Sequence, residues 1–106
     1  EKTYVKKLDH IEEMARETMV MLIQSLEAYV EKDLDKAQKV IAHDDVIDDL
    51  FEEVKQELIE LIRNHADEGE QAVDLLMVTK YFERIGDHAT NIAEWVIFSI
   101  TGQIAG

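Results

Sequence analysis

Two pairs of acidic residues stand out in this sequence, because the members of each pair are four residues apart among apolar neighbours. Asp44 and Asp48 form the first pair, and Glu83 and Asp87 form the second. On an α-helix, residues four apart lie on one face, so each pair would present two carboxylates in the same direction. Oxygen ligands of this kind suit hard or borderline cations: Mg, Ca, Mn and Fe, with Zn also possible.

The elements that position these pairs are helices, because apolar residues recur at steps of three and four along nearly the whole chain. We expect helices at about residues 3–31, 34–63 and 68–101. The connections between them are short, so successive helices must run antiparallel. The sequence therefore predicts an all-α fold, an antiparallel up-down-up three-helix bundle, as a single domain over residues 1–106.

Local signals mark the ends of the predicted helices. Asp33 follows the first break and is placed to cap the second helix. Asp67, with Glu70 three residues later, has the form of a capping box for the third helix. Gly102 is a natural stop signal for that helix.

Each helix has a stripe of positions predicted to face the core. In the first helix these are Tyr4, Leu8, Ile11, Ala15, Thr18, Leu22, Ser25 and Tyr29. In the second they are Ala37, Val40, Asp44, Ile47, Phe51, Val54, Leu58 and Leu61. In the third they are Ala72, Leu76, Thr79, Glu83, Gly86, Ala93 and Ile97. One acid of each pair, Asp44 or Glu83, thus occupies a position where the pattern calls for an apolar side chain.

Antiparallel register predicts that the two acid pairs face each other. Asp44 lies as far before the turn near residues 65 and 66 as Asp87 lies after it, and the same holds for Asp48 and Glu83. Two carboxylates about 6 Å apart repel by roughly 3 kcal/mol at an effective dielectric constant of about 20. The four carboxylates must therefore take up protons, admit water or hold a cation, and a multivalent cation solves the problem most directly.

Other polar residues near the four acids are further candidates for metal contact. His43 and His88 adjoin the pairs but are rotated about 100° from their acidic neighbours. Asn91 lies one turn beyond Asp87 and has an amide oxygen to offer. The acidic pairs Glu13/Glu17 and Glu53/Glu57 have the same spacing and are interpreted as solvent-exposed surface.

Composition limits the class of protein. The formal net charge of -13 opposes direct binding to nucleic acid, whose phosphates would be repelled. The absence of cysteine excludes disulfides, thiolate zinc sites and a cysteine nucleophile. The runs Met19–Ile23 and Trp95–Phe98 are apolar all round the helix but too short to cross a bilayer. They predict cover by a second subunit, hence a homo-oligomer such as a dimer, or by a further domain; a cytoplasmic location is the default expectation.

The acidic pairs lie in segments that resemble a known family. Residues Leu75–Trp95 closely resemble the final helix of the PhoU family of bacterial phosphate-signalling regulators. Asp44–Phe51 is similar to the family's other acidic motif, and Ile100–Ile104 is similar to its ending. The resemblance implies one three-helix repeat, most like the second of the two that family members carry.

The resemblance also implies a function. It implies that multinuclear iron or zinc clusters bind through acid-x-x-x-Asp motifs, which by position are Asp44/Asp48 and Glu83/Asp87; Mg, Mn, Ca or Ni are further possible metals. It implies a non-enzymatic regulator of phosphate uptake and phosphate-starvation signalling. The partners it implies are the phosphate ABC transporter and a sensor histidine kinase, so that any membrane association is peripheral and through partners.

Two other classes of function remain open from the sequence. Acidic all-helical proteins also hold Mg or Mn to hydrolyse phosphoanhydrides, and Lys80 and Arg84 lie near the acids in sequence. Against this alternative, the chain has no glycine-rich loop to cradle a phosphate. A helical interaction domain without metal is the third interpretation.

Overall fold

The chain folds as a bundle of three long helices. A computed structural model describes the backbone of residues 2–102 and the side chains of residues 9–102. The helices are α1 (Lys2–Glu31), α2 (Leu34–Asn64) and α3 (Gly69–Thr101), and each packs against the other two. The predicted all-α three-helix bundle is confirmed. None of the described helices is both long enough and apolar enough to cross a membrane.

Two of the predicted helix-end signals are confirmed. The Asp33 carboxylate accepts a hydrogen bond from the backbone N–H of Lys36 at 3.1 Å and so caps α2. Gly102 ends α3 with a positive φ of 73°, a conformation that glycine adopts without steric cost. Its backbone N–H donates to the Phe98 carbonyl at 2.8 Å, which satisfies one of the last carbonyls of the helix.

The predicted capping box at Asp67 and Glu70 is wrong. Asp67 lies inside a short 3-10 helix, Ala66–Glu68, that connects α2 to α3. Glu68 occupies the position before α3 and makes no side-chain capping hydrogen bond. Asp67 is thus part of the turn between the helices, and Glu70 lies in the first turn of α3.

Side-chain pairs between α1 and α2 show that the two helices run antiparallel. His10 of α1 bonds to Glu57 of α2, and Glu17 of α1 bonds to His43 of α2. The partner's position in α2 falls as the position in α1 rises, as antiparallel packing requires. The resulting bundle is elongated, with a long dimension of 52 Å.

Core positions follow the predicted pattern in α2 and α3 but not throughout α1. In α2 every predicted apolar position is buried, and Asp44 among them is partly buried. In α1, Tyr29 is 58% exposed, whereas Met14, Met21 and Ala28 are fully buried. The prediction for Tyr29 is therefore wrong, because the buried stripe of α1 is rotated from the predicted one. Tyr4 and Leu8 lie outside the residues whose side chains are described, and Gln103 and Ile104 lie outside the described chain.

Candidate metal centre

The four predicted acids, called here the acidic quartet (Asp44, Asp48, Glu83 and Asp87), lie along the contact between α2 and α3. Asp44 and Glu83 are partly buried, and Asp48 and Asp87 are exposed. The quartet therefore lies at the edge of the core, with one acid of each helix turned inward and one toward solvent. A cation could reach it without crossing the core.

Asp44 is the most constrained member of the quartet. Its Oδ1 atom is buried and has no hydrogen-bond partner in the part of the chain that the structure describes. Gly86 of α3 lies opposite, and a Cβ atom placed there would be 3.8 Å from this oxygen and 3.4 Å from Ile47 Cγ2. A Cβ atom at Gly86 would thus make ordinary van der Waals contacts with Ile47 and Asp44. Burying a carboxylate oxygen without a hydrogen-bond donor costs free energy. Among the described residues, this oxygen is therefore the clearest sign of a side chain that lacks a binding partner.

The surroundings of Asp44 disfavour its charged form. Burial raises the pKa of Asp44 above its ordinary value, and the negative charges of Asp48 and Asp87 raise it further. The Thr90 hydroxyl acts in the opposite direction without cancelling this effect. In the absence of a cation, the fold therefore pays an electrostatic penalty for an ionised Asp44.

Asp48 responds to the acids of α3 in the same way. Its pKa is raised first by burial and then by the charges of Glu83 and Asp87, with smaller effects from Asp45 and Asp49. The charge of Asp87 thus acts on Asp44, and the charges of Glu83 and Asp87 act on Asp48, as the facing of the two acid pairs predicted by register requires. The four carboxylates therefore lie near one another along the contact between α2 and α3.

The quartet receives little positive charge from the protein. Lys80 Nζ lies 3.2 Å from Glu83 Oε1 and 5.3 Å from the centroid of the Phe51 ring. Among the described residues, no lysine, arginine or histidine forms an ion pair with Asp44, Asp48 or Asp87. Within the same residues, no three quartet side chains bring ligand oxygens within 4.8 Å of one another. A bound cation would therefore draw carboxylates inward that repel each other without it.

Among the described hydrogen bonds and ion pairs, none joins the three additional candidates to a quartet carboxylate. The Nε2 atom of His43 bonds to Glu17 of α1, so this ring is engaged on the other side of α2. His88 and Asn91 are exposed on α3. Asn91 borders an open apolar cavity of about 380 Å³ together with Leu26, Tyr29, Ile92 and Trp95.

A polar cluster that the sequence interpretation missed lies between α1 and α2. His10 Nδ1 is 2.7 Å from Glu57 Oε1, and His10 Nε2 is 3.5 Å from Glu53 Oε1. The hydrogen bond with Glu57 raises the pKa of His10, and the charges of Glu57, Glu53 and Glu13 add to it against an opposing effect of burial. The antiparallel register of α1 and α2 indicates this cluster in the sequence. His10 lies as far before the turn at residues 32 and 33 as Lys55 lies after it, and Lys55 lies between Glu53 and Glu57.

The apolar runs of α1 and α3 remain uncovered in the single chain. Met19, Val20 and Ile23 are 44 to 51% exposed, and Trp95 is 58% exposed. The rings of Trp95 and Phe98 pack against each other, with centroids 5.7 Å apart. These side chains form an exposed apolar surface, which is typical of a contact site for another protein.

Comparison with models of known protein families shows which family this chain belongs to. A family model described as the PhoU domain matches residues 11–96, most of the described bundle. The chain belongs to the PhoU family. The resemblance seen in the segments around the quartet is thereby confirmed, and both acidic pairs lie within the matched range.

Several PhoU relatives extend beyond this chain. It is 40% identical over 90 residues to the phosphate-specific transport system accessory protein PhoU homolog of Clostridium acetobutylicum, covering 85% of this chain and 41% of that protein. It is 32% identical over 103 residues to PhoU homolog 1 of Thermotoga maritima, covering 97% and 44%. It is 37% identical over 93 residues to the homolog of Caulobacter vibrioides, covering 88% and 40%. The chain thus spans about two fifths of the length of these relatives; no solved structure matches it significantly.

Proposed function

We propose that this chain is a metal-binding unit of a PhoU-type accessory protein of phosphate transport, and that the acidic quartet holds the metal. The relatives' names supply the phosphate-transport context. The observation that carries the metal proposal is the buried Oδ1 atom of Asp44, which has no hydrogen-bond partner among the described residues. A cation between α2 and α3 would supply that partner.

The quartet has the donor atoms for such a cation. All four side chains offer carboxylate oxygen, which suits Mg, Ca, Mn and Fe and also accepts Zn. Iron or zinc is the first expectation because of the family resemblance, with Mg, Mn, Ca or Ni as alternatives. Asp44 and Asp87 would hold the cation at one level, and Asp48 and Glu83 would hold it one turn away.

The proposed role is regulatory and not enzymatic. The chain would act through protein contacts with the phosphate ABC transporter and a sensor histidine kinase, in the cytoplasm and at the membrane only through those partners. The exposed apolar side chains near Trp95 are the surface proposed for contact with another protein or with a second copy of this chain in a dimer. A bound cation would fix the relative position of α2 and α3, and α3 carries that surface.

The test of the metal proposal is elemental analysis of protein purified without chelators. A Glu83→Gln, Asp87→Asn double variant should lose the metal that the parent chain retains. A Glu60→Gln, Asp74→Asn double variant is the matched control, because it removes one exposed acid from each of the same two helices. Equal metal content in the parent and the Glu83, Asp87 variant would refute the quartet as the binding site.

A turnover assay separates the regulatory role from the hydrolase alternative. Lys80 is the cation nearest the quartet among the described ion pairs, and it is bonded to Glu83. We expect no steady release of phosphate from nucleoside triphosphate or pyrophosphate with Mn or Mg present. Sustained release that disappears in the Glu83→Gln, Asp87→Asn variant would contradict the non-enzymatic proposal.

A further inference from the structure

A second group of metal-ligating side chains lies on the face of α2 opposite the acidic quartet. His10 projects from α1 toward Glu53 and Glu57, which are one turn apart on α2. One ligand atom from each of the three side chains lies within 4.8 Å of the other two, and no other group of three in the described residues meets this condition. The α2 members of the quartet, Asp44 and Asp48, face α3, so the two groups share a helix but no side chain.

The donor atoms define the chemical class of ligand. One imidazole nitrogen and two carboxylate oxygens form the mixed set that zinc, manganese and ferrous iron accept, whereas calcium and magnesium favour oxygen alone. Around one zinc ion, ligand atoms at about 2.0–2.2 Å from the metal are roughly 3–4 Å apart. The Nδ1 atom of His10 lies 2.7 Å from Glu57 Oε1, and its Nε2 atom lies 3.5 Å from Glu53 Oε1. An ion bound to one of these nitrogens would replace the hydrogen bond to Glu57, and the three ligand atoms, already within 4.8 Å of one another, need to move little to surround it.

Charge supports a cation at this position independently of spacing. Among the described residues, His10 is the sole ion-pair partner of Glu53 and Glu57, and no lysine or arginine reaches them. Elsewhere on the bundle, Glu27 and Glu31 both form ion pairs with Lys36, so a lysine neutralises part of their charge. The exposed carboxylate of Glu53 and the partly buried carboxylate of Glu57 are thus opposed, among the described residues, by one histidine and no permanent positive charge.

We propose that His10, Glu53 and Glu57 form a binding site for one divalent transition-metal ion of the zinc class. The ion would join α1 to α2 through three side chains. Glu13, one turn from His10 on α1, adds negative charge beside the site. The proposal is independent of the quartet, because either site can be removed while the other remains.

The experiment is a zinc titration by calorimetry in the Glu83→Gln, Asp87→Asn background, where the quartet is disabled. We expect one zinc ion per chain. Adding His10→Gln, or Glu57→Gln, should weaken its binding at least about tenfold, since even the loss of a residue outside the ligand shell costs about 10–100-fold. Glu17→Gln is the matched control, because it breaks the other histidine–glutamate bond between α1 and α2 and should leave zinc binding unchanged.

A second measurement tests the site without any change at His10. In the unsubstituted chain, zinc should shift the NMR signals of the His10 ring nitrogens, with circular dichroism confirming that the helices persist. Unchanged ring signals at saturating zinc would overturn the proposal, as would zinc binding that His10→Gln and Glu57→Gln leave unaltered. Metal analysis of the His10→Gln single variant tests the quartet separately, so failure at one site is not failure at the other.

Discussion

Replacing Asp44 by asparagine should change the stability of this chain in opposite directions without metal and with it. Asparagine keeps the shape of the side chain but removes its charge. In the chelated protein, burial and the charges of Asp48 and Asp87 oppose ionisation of Asp44, so the neutral side chain relieves repulsion. In the metal-loaded protein, the same change removes a ligand and weakens the site.

The expected magnitude follows from the surroundings of Asp44. One carboxylate pair about 6 Å apart repels by roughly 3 kcal/mol at an effective dielectric constant of about 20. Asp48 and Asp87 are exposed, so water and salt screen most of this repulsion. We therefore expect Asp44→Asn to raise the free energy of unfolding of the chelated protein by about 1 kcal/mol, a rise in Tm of about 4–8 °C for a small domain.

Metal should reverse the order of stability of the parent and the Asp44→Asn protein. A ligand present at about 100 times its Kd stabilises the folded state by about 2.7 kcal/mol. The parent gains this stabilisation, and the Asp44→Asn protein gains much less. Any zinc bound at His10 contributes equally to both, because that cluster is intact in both.

Thermal unfolding followed by circular dichroism, with chelator and then with zinc or iron, measures the reversal. Glu60→Gln is the control for net charge, because it removes one exposed carboxylate from α2 outside the quartet. It should move neither curve appreciably. The reasoning is refuted if Asp44→Asn melts at or below the parent temperature in chelator, or if metal stabilises both proteins equally.

Three further predictions concern pH, packing and association. The pKa values of Asp44 and Asp48 are raised in the folded chain, so the folded state binds more protons than the unfolded state. The urea midpoint of the chelated protein should therefore rise as pH falls from neutral through these raised pKa values. The raised pKa of His10 adds stability that is fully present below the pKa of the unfolded chain and is lost as pH rises through the pKa of the folded chain. His10→Gln should therefore remove the part of the pH dependence near neutrality. A stability that does not change with pH in the parent would contradict both statements. Gly86→Ala should stabilise the chelated protein by about 0.5–1 kcal/mol in thermal melts, since a methyl group there meets neighbours at 3.4–3.8 Å, whereas Gly86→Val should destabilise it by about 1–3 kcal/mol. Trp95→Gln should shift the solution mass of a dimer toward that of the monomer in light scattering while the helical signal persists, because Trp95 is already 58% exposed in the single chain.

The core of α2 could be predicted from the sequence because one stripe is apolar and the rest is polar. Every apolar position predicted for α2 is buried, and the single acid among them, Asp44, carries the buried oxygen without a partner. The register of α2 against α3 could then be derived from the short connection between these two helices. The all-α fold and the facing of the two acid pairs could be derived in this way.

The orientation of α1 could be derived only in part, because this helix is apolar on more than one side. Of the positions that spacing selected, Ile11, Thr18 and Ser25 are buried but Tyr29 is exposed. The core also uses Met14, Met21 and Ala28, which spacing did not select. Residues Met19–Ile23 offer apolar side chains in every direction, so the pattern cannot tell a core face from a face that another protein would cover. Burial, and not spacing, decides between the two.

The distribution of positive charge connects the two proposed sites. Lys36 and Lys80 are the lysines with described ion pairs, and they serve Glu27, Glu31 and Glu83. The remaining acids of the quartet have no positive partner among the described residues, and the pair on the opposite face of α2 has a histidine alone. On both faces, α2 thus presents more carboxylates than the described lysine, arginine and histidine side chains pair with. In a chain with a net charge of -13, the packing of α2 against α1 and α3 should therefore depend on cations from solution.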